Sequence, residues 1–440
     1  MRAPVAMRSS LFDWSSRGAA AGLLLVLGGA CGGEPTPAPA SGGAGPSGGT
    51  APLAGAGAGD SPVAGNDSGG QAGQAPSGGK AGDTVGGVGG RDAAGGGGAT
   101  AAGGPSDGGS GAADGPRWLG RVDARDPSAV KLGWSASGLV ASVEGPKISV
   151  RLQTDGAETA FFQPVIDGEP APRFEVPSGP ARTVVLGEGL GSGAHRIELY
   201  RESEGSYGYS TFLGFVDGEV VGAPRTPERF IEVIGDSISA GYGSLGKDVH
   251  PPWDQGCTFS LATESAYVTY GALLGRALGA EVSIVARSGW GIYRDNQGNT
   301  QNVLPSLFTR TLGTNDSPTY DFARQPDAVI INLGTNDSAL GDPGKPYEDA
   351  YVAFLKTVRQ KYASAWIFLT IGPMTGEPLL SAMRAHLAQV VSASGDAKVV
   401  AVPLETQDSA TTGCDYHPDI DEHQRMAKAM EPVIATKLGW

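Results

Sequence analysis

Short alternating segments in the first half of the chain predict β-structure. Apolar and polar residues alternate over 148–152 and again over 195–200, and Gly-Pro and Asp-Gly pairs separate such runs. Several short strands divided by turns are typical of an antiparallel sandwich. We therefore predict an all-β, jelly-roll-like sandwich domain over residues 117–223. The other β-rich runs cover residues 139–143, 161–166 and 183–186.

From about residue 226, apolar runs of strand length alternate with helical patterns. This order predicts a parallel, flavodoxin-like α/β sheet with helices on both faces over residues 226–440. Ligands of such sheets bind beyond the carboxyl ends of the strands. The buried-strand candidates are 230–234, 282–286, 328–332, 366–371 and 399–402, and the helical patterns cover 265–278, 347–364, 378–394 and 418–438.

The first 31 residues have the pattern of an export signal. Three arginines accompany a short apolar run at 19–27, which is shorter than the roughly 20 residues that a spanning helix needs. Small residues and then Cys31 follow, an order that resembles a bacterial lipoprotein signal. We predict lipidation of Cys31, with plain secretion as the alternative, and hence a secreted or cell-surface protein.

Composition changes sharply after this signal. Residues 32–116 are almost entirely small or polar, so they cannot bury enough surface to fold and predict a disordered linker. The whole chain carries a formal net charge of -14 and no block of Lys or Arg. That balance excludes nucleic acid and anionic membrane surfaces as partners, apart from membrane attachment through the lipid. We expect a monomer.

Two cysteines remain after Cys31, namely Cys257 and Cys414. In an oxidising compartment an even pair indicates one disulfide, and two unpaired buried thiols are the alternative.

A candidate nucleophile follows the first strand of the α/β region. Residues 230–234 lead directly into Gly235-Asp236-Ser237. Gly235 permits a sharp turn that would place Ser237 at the start of a helix, where free N–H groups and the helix dipole favour a developing negative charge. The alternative is that Asp236 or Ser237 only caps this helix.

The sequence LGTNDS occurs twice, at 312–317 and at 333–338. Only the second copy follows a buried strand, which would deliver Asn336 to the same sheet edge as Ser237. The first copy follows no such strand and indicates a surface loop. We therefore predict a functional role for Asn336 and none for Asn315.

The second strand ends near Gly289, whose backbone N–H can approach a substrate oxygen closely because the residue has no side chain. With the Ser237 N–H and the Asn336 amide, it makes three donors for an oxyanion. An ordinary turn is the alternative for Gly289.

His417 is the candidate base because it follows the fifth strand and directly precedes Pro418 and the last helix. A Cys257–Cys414 disulfide would tie its loop to the one after Ser237. Nucleophile, base and oxyanion donors in one cleft are the arrangement of acyl transfer through a covalent intermediate. Surface, packing or loop positions account for the other histidines, which are His195, His250, His386 and His423.

These segments together resemble the SGNH (GDSL-like) hydrolases, with Gly235-Asp236-Ser237-Ile238, Gly289, Gly334-Thr335-Asn336-Asp337 and His417-Pro418 in order. The preceding sandwich and the stretches 257–260 and 413–418 are similar to carbohydrate esterase family two. The resemblance covers about 117–440. It implies a serine esterase that removes acetyl groups from plant polysaccharides such as xylan and glucomannan, with Ser237 as nucleophile and no cofactor or metal.

One position departs from the SGNH pattern. Such enzymes commonly carry an Asp three residues before the catalytic His, where this chain has Cys414, and Asp415 lies only two residues before. The resemblance therefore leaves two acceptors that could orient His417. These are the Asp415 carboxylate, as a third catalytic residue, and a backbone carbonyl.

Aromatic residues near the cleft are candidates for stacking on sugar rings, with packing as the alternative. They are Trp290, Trp253 and Tyr293. The alternative functions are an esterase or lipase for small or lipid esters and a non-catalytic carbohydrate-binding surface protein. A lipase would be expected to have a long apolar lid, and the sequence shows none, which argues against the first alternative. The intact Ser237 and His417 argue against the second.

Overall fold

The computed structural model describes residues 115–156, 158–249 and 256–440. The predicted export signal with Cys31, nearly all of the predicted linker and Trp253 lie outside the described residues. Among the helices of the described part, none is both long and apolar enough to cross a lipid bilayer.

The N-terminal domain is antiparallel and β-rich, which confirms the all-β prediction. Its central strand β4 is 18 residues long and pairs with four neighbours. The alternation in the sequence matches burial, since Ile197 and Leu199 are fully buried in the domain core. The strands are β1 (Arg117–Leu119), β2 (Val122–Asp123), β3 (Val130–Leu132), β4 (Gly138–Asp155), β5 (Ala160–Ile166), β6 (Glu169–Pro170), β7 (Phe174–Val176), β8 (Arg182–Glu188), β9 (Ala194–Arg201) and β10 (Tyr209–Gly222).

The C-terminal domain has the predicted parallel sheet, in the order β12-β11-β13-β14-β15. All five strands fall where the apolar runs predict them. The strands are β11 (Arg229–Gly235), β12 (Ala280–Ala286), β13 (Ala328–Asn332), β14 (Trp366–Thr370) and β15 (Val399–Ala401).

Helices cover both faces of this sheet, and each face has its own apolar core. One core includes residues of α4 and α5, and the other includes residues of α3 and α6. The helices are α1 (Ser237–Ala240), α2 (Gly246–Val249), α3 (Tyr270–Leu278), α4 (Lys345–Lys361), α5 (Leu379–Ser394) and α6 (Ile420–Leu438).

Helices α3 and α6 begin later than their sequence patterns predict, and capping explains both. Thr269 has an extended backbone and its side chain accepts a hydrogen bond from the Ala272 N–H, so α3 begins after it. Asp419 caps α6 in the same way through the Glu422 N–H. The sequence pattern predicts Pro418 in the first turn of the last helix, but Pro418 lies before that helix.

Strand register sets the location of the site. Gly235 at the end of β11 lies opposite Ala286 of β12 on one side and Asn332 of β13 on the other. The turns that follow these three strands therefore meet at one edge of the sheet.

The two domains are joined by a fully buried ion pair. Arg121, between β1 and β2, binds the carboxylate of Glu232 on β11 through two nitrogens, at 2.7 and 3.2 Å. The Tyr362 hydroxyl donates a further hydrogen bond to Glu232 at 2.9 Å. The guanidinium also lies 4.2 Å from the ring centre of Tyr320. The N-terminal domain is thus fixed to the strand that leads to Ser237.

Candidate active site

In the turn after β11, the residue that caps the helix is not the candidate nucleophile. Asp236 has an extended backbone, and its carboxylate accepts the Ile238 N–H at 3.1 Å, so it caps the short helix α1. A Cβ on Gly235 would lie 2.0 Å from the Ser239 Oγ, which explains the glycine. Asp236 therefore does the capping, and the Ser237 hydroxyl is left for another partner.

That partner is His417. The Ser237 Oγ lies 2.8 Å from His417 Nε2, and His417 Nδ1 lies 3.0 Å from the backbone carbonyl of Asp415. A proton on Nδ1 donates to this carbonyl and leaves the Nε2 lone pair to accept from the serine hydroxyl. Removal of the imidazole from water lowers the pKa of His417 to about 4, which keeps the ring neutral as a base must be.

Of the two acceptors left open for His417, the backbone carbonyl of Asp415 is the one in contact, and the Asp415 carboxylate has other partners. Its Oδ2 instead accepts hydrogen bonds from the Tyr242 hydroxyl and the Phe259 N–H, each at 3.1 Å. The physical reason is the backbone, because Asp415 and Tyr416 both have left-handed conformations with φ of 48° and 59°. This reversal turns the Asp415 carbonyl, rather than its side chain, toward the His417 ring.

The loop that carries His417 is held on two sides. Cys414 forms a disulfide with Cys257, and the Asp415 N–H donates to the Cys257 carbonyl at 3.0 Å. On the other side, the Cys414 N–H donates to the Gly243 carbonyl at 3.0 Å. A Cβ on Gly243 would lie 2.6 Å from the Cys414 carbonyl oxygen, so only glycine permits this approach. The disulfide thus joins the base to the segment that follows the nucleophile.

An aromatic pair that the sequence did not reveal lies beside the base. The Tyr242 ring centre is 4.3 Å from that of His417, and Phe259 stacks on Tyr242 at 3.7 Å with an interplanar angle of 12°. The Asp415 carboxylate binds both residues of the pair. The only local signal was the position of Tyr242 five residues after Ser237, which does not predict this contact.

Two of the three predicted oxyanion donors are backbone N–H groups at the sheet edge. Ser237 is the first residue of α1, so its N–H has no partner within the helix. Gly289 has φ of 79°, a conformation that favours glycine, and the described residues provide no acceptor for its N–H. Both groups can therefore donate to an incoming oxygen.

Asn336 lies at the same edge with its amide already engaged. Its Nδ2 donates to Asp236 Oδ2 and to the Trp290 carbonyl, each at 3.1 Å. An oxyanion must therefore share or replace one of these acceptors. Burial raises the pKa of the Asp236 carboxyl to about 7. In the first LGTNDS copy, the Asn315 amide oxygen accepts a single hydrogen bond within the described part of the chain, from the Arg310 guanidinium at 3.4 Å.

Asp337, the next residue of the second copy, anchors the loop that follows Gly289. Its buried carboxylate accepts the N–H groups of Ile292, Tyr293 and Arg294 at 2.7 to 3.0 Å. A Cβ on Gly291 would lie 2.3 Å from this carboxylate. Asp337 therefore fixes the segment that carries Trp290 and Tyr293. The second LGTNDS copy contains Asp337, but the sequence does not indicate this role.

The two described aromatic candidates are partly buried and pack against the core under α4 and α5. Trp290 also has the Arg287 guanidinium carbon 5.2 Å from its ring centre. Trp290 is thus partly packed against the core and partly exposed. Within the described residues, no three His, Cys, Asp or Glu side chains gather as metal ligands would.

Three other histidines have partners other than Ser237. His195 binds the Asp167 carboxylate at 2.7 Å, and His386 lies 2.8 Å from Glu348 and from Asp342. His423 is buried on α6 and accepts the Tyr270 N–H.

Both domains match known families. The family described as "Carbohydrate esterase 2 N-terminal" matches residues 118–224, and the "GDSL-like Lipase/Acylhydrolase family" matches residues 233–425. Among solved structures, a family two carbohydrate esterase from Clostridium thermocellum in complex with cellohexaose is 35% identical with a TM-score of 0.69. That match covers 74% of this chain and 100% of the other.

Curated relatives agree with the structural match. "Cellulase/esterase CelE" of Acetivibrio thermocellus is 36% identical over 330 residues, which are 73% of this chain. The match spans only 39% of that relative's length. An "Acetylxylan esterase / glucomannan deacetylase" of Cellvibrio japonicus is 27% identical over 331 residues, covering 73% of this chain and 88% of the relative.

Proposed function

The chain belongs to carbohydrate esterase family two, and from this premise we propose that it is a serine esterase that removes O-acetyl groups from plant cell-wall polysaccharides. The observation that carries the proposal is the 2.8 Å contact between Ser237 Oγ and His417 Nε2. This is the distance at which a base takes a proton from a nucleophile.

In the first half of the reaction, Ser237 Oγ attacks the acetyl carbonyl carbon while its proton passes to His417 Nε2. The carbonyl oxygen becomes an oxyanion, which the N–H groups of Ser237 and Gly289 and the Asn336 amide stabilise. The tetrahedral intermediate then collapses, and the bond between the acetyl carbon and the sugar oxygen breaks. His417 returns its proton to that oxygen, which leaves as a free sugar hydroxyl.

In the second half, water takes the place of the sugar. His417 accepts a proton from the water as its oxygen attacks the acetyl group on Ser237. Collapse of this second intermediate returns the proton to Ser237 Oγ and releases acetate. Throughout, the Asp415 carbonyl accepts the Nδ1–H bond and stabilises the imidazolium that forms twice in each cycle.

The substrate class rests on the relatives and on the aromatic residues at the rim. Two Cellvibrio japonicus relatives are named for acetylxylan and glucomannan. Trp290 follows the oxyanion residue Gly289, so a sugar ring stacked on it would lie close to the nucleophile. We assign Trp290 and Tyr293 to sugar contact on this basis, together with Trp253 from the sequence alone.

The domain order and location extend the proposal. Residues 1–31 direct export, Cys31 receives a lipid anchor, and 32–116 form a tether for the domains at 117–223 and 226–440. The proposed monomer would act at the cell surface or in the medium. Export places Cys257 and Cys414 in a compartment where their disulfide persists.

Acetate release from acetylated xylan and glucomannan tests the proposed activity. We expect wild-type protein to release acetate from at least one polymer and Ser237→Ala to lose this activity while staying folded. Ser239→Ala is the matched control, since it removes a hydroxyl of the same short helix that bonds to Tyr270. Hydrolysis of long-chain lipid esters in place of acetylated polymers would contradict the substrate assignment, and full activity of Ser237→Ala would contradict the mechanism.

A further inference from the structure

A carboxylate of the N-terminal domain reaches the loop that carries Gly289. Glu204 lies just after β9, and its Oε2 accepts the N–H of Ser288 at 2.8 Å. Ser288 directly precedes Gly289. Glu204 is 1% exposed, so water does not compete for this bond.

The position of this bond determines the direction of the neighbouring peptide. The Ser288 N–H is held by Glu204 on one side of the Ser288–Gly289 peptide, and the Gly289 carbonyl accepts the Asn296 N–H at 3.0 Å on the other. Gly289 itself has no side chain and has φ of 79°. Glycine resists rotation least of all residues, so external contacts must fix where its N–H points.

Glu204 belongs to a buried cluster of charged groups, and burying such groups costs free energy. The Glu204 N–H donates to Glu264 Oε2 at 3.3 Å, and both Glu residues are almost fully buried. Each has an Oε1 atom without a hydrogen-bond partner in the described part of the chain. Burial and the nearby Glu204 charge raise the pKa of Glu264, while buried Arg201 supplies positive charge. A polar cluster of this cost is not explained by stability alone.

We propose that Glu204 is a positioning residue that holds the Gly289 N–H toward the oxyanion. The N-terminal domain then contributes directly to turnover, through one hydrogen bond across the domain interface. This inference rests on the proposed esterase function. Misdirection of an oxyanion donor weakens contacts made in the transition state, so it lowers kcat and leaves KM unchanged.

Three substitutions at Glu204 test the proposal with a small acetyl ester as substrate. Glu204→Ala and the bulkier Glu204→Leu both remove the acceptor. We expect kcat to fall about tenfold or more with KM unchanged. This fall should be smaller than the one caused by deleting an oxyanion donor outright. Glu204→Gln keeps a carbonyl acceptor and should restore most of kcat. If the Ala variant does not fold, the Leu variant gives the same comparison.

Glu202→Gln is the matched control. Glu202 is equally buried two residues earlier, but it binds Arg173 and the Tyr267 N–H instead of the Ser288 loop. We expect its kcat to equal that of wild type. A folded Glu204→Ala or Glu204→Leu variant with wild-type kcat would overturn the positioning role.

Amide hydrogen exchange separates this proposal from the proposed function, because it requires no turnover. The Ser288 amide should exchange slowly in wild type and in Glu204→Gln, and faster in Glu204→Leu. Unchanged exchange in Glu204→Leu would overturn the positioning role even in an active esterase. Absence of acetate release by wild type would instead overturn the esterase function, whatever the exchange rates show.

Discussion

The carboxylate of Asp415 binds the hydroxyl of Tyr242, and the Tyr242 ring lies beside the imidazole of His417. Asp415 therefore acts on the base in two ways, through its backbone carbonyl directly and through Tyr242 indirectly. The carbonyl contact survives any change of the Asp415 side chain that preserves the backbone.

Asp415→Asn tests this division. Asn tolerates the left-handed backbone and retains a side-chain acceptor for Tyr242. We expect kcat to fall by no more than about tenfold, against the loss of about 10⁴ that replacement of a triad aspartate causes. Steady-state kinetics on an acetyl ester, with Ser237→Ala as the inactive reference, gives the answer. A loss above about 10³-fold would assign the carboxylate the orienting role after all.

The pKa of His417 predicts an acid-tolerant enzyme. The base stays neutral until the pH approaches about 4, so kcat/KM should hold between pH 7 and 5 and fall to half near pH 4. A fall to half near pH 6.5, the ordinary value for histidine, would contradict this prediction.

The same lowered pKa affects stability with a defined sign. The unfolded chain binds the His417 proton more readily than the folded chain does, so the stabilising contribution is complete above pH 6.5. It is lost as the pH falls through 4. His417→Gln should weaken this dependence in urea unfolding measured across that range.

The repeated LGTNDS sequence provides its own matched pair of variants. Asn336→Ala removes an amide at the sheet edge, and we expect kcat to fall about 10²–10³-fold with little change in KM. Asn315→Ala makes the same change in the first copy and should leave kinetics unchanged. Equal kinetics for the two variants would show that Asn336 does not donate to the oxyanion.

The Arg121–Glu232 pair should dominate stability at the domain interface. Arg121→Met leaves Glu232 as an unpaired buried charge, so we expect a loss of about 3–5 kcal/mol in the free energy of unfolding. The double variant Arg121→Met, Glu232→Leu removes both charges and should recover much of that loss. Urea unfolding measures both.

The exposed pair Arg225–Glu228 provides the control for this experiment, because both side chains are more than 80% exposed. Arg225→Met should cause no measurable change. A destabilisation of Arg121→Met no larger than that of the control would show that the buried pair contributes little.

The framework of the site follows from local sequence signals. Each strand of the parallel sheet coincides with a mainly apolar run, and ligands of such sheets bind beyond the carboxyl ends of the strands. Those two facts place Ser237, Gly289 and Asn336 at one edge, and the cap at Asp236 is a short-range interaction. Such features depend on residues a few positions apart, which a single sequence displays.

What the sequence does not display depends on backbone reversal or on distant partners. The left-handed conformation at Asp415 decides which of its oxygens faces His417, and residue spacing alone carries no sign of it. The contact of Tyr242 with His417 joins positions 175 residues apart, and the pairing of Arg121 with Glu232 joins positions 111 apart. The late starts of α3 and α6 depend on which residue acts as the N-cap of each helix.

The Cys257–Cys414 disulfide also makes the anchoring of the His417 loop depend on the redox state of the compartment. In a reducing cytoplasm the two thiols stay reduced, and the His417 loop lacks its covalent anchor to the other side of the cleft. Oxidation outside that compartment supplies the anchor. On the proposed export, the site would therefore gain this anchor only outside the cytoplasm, and recombinant protein made without an oxidising step would lack it.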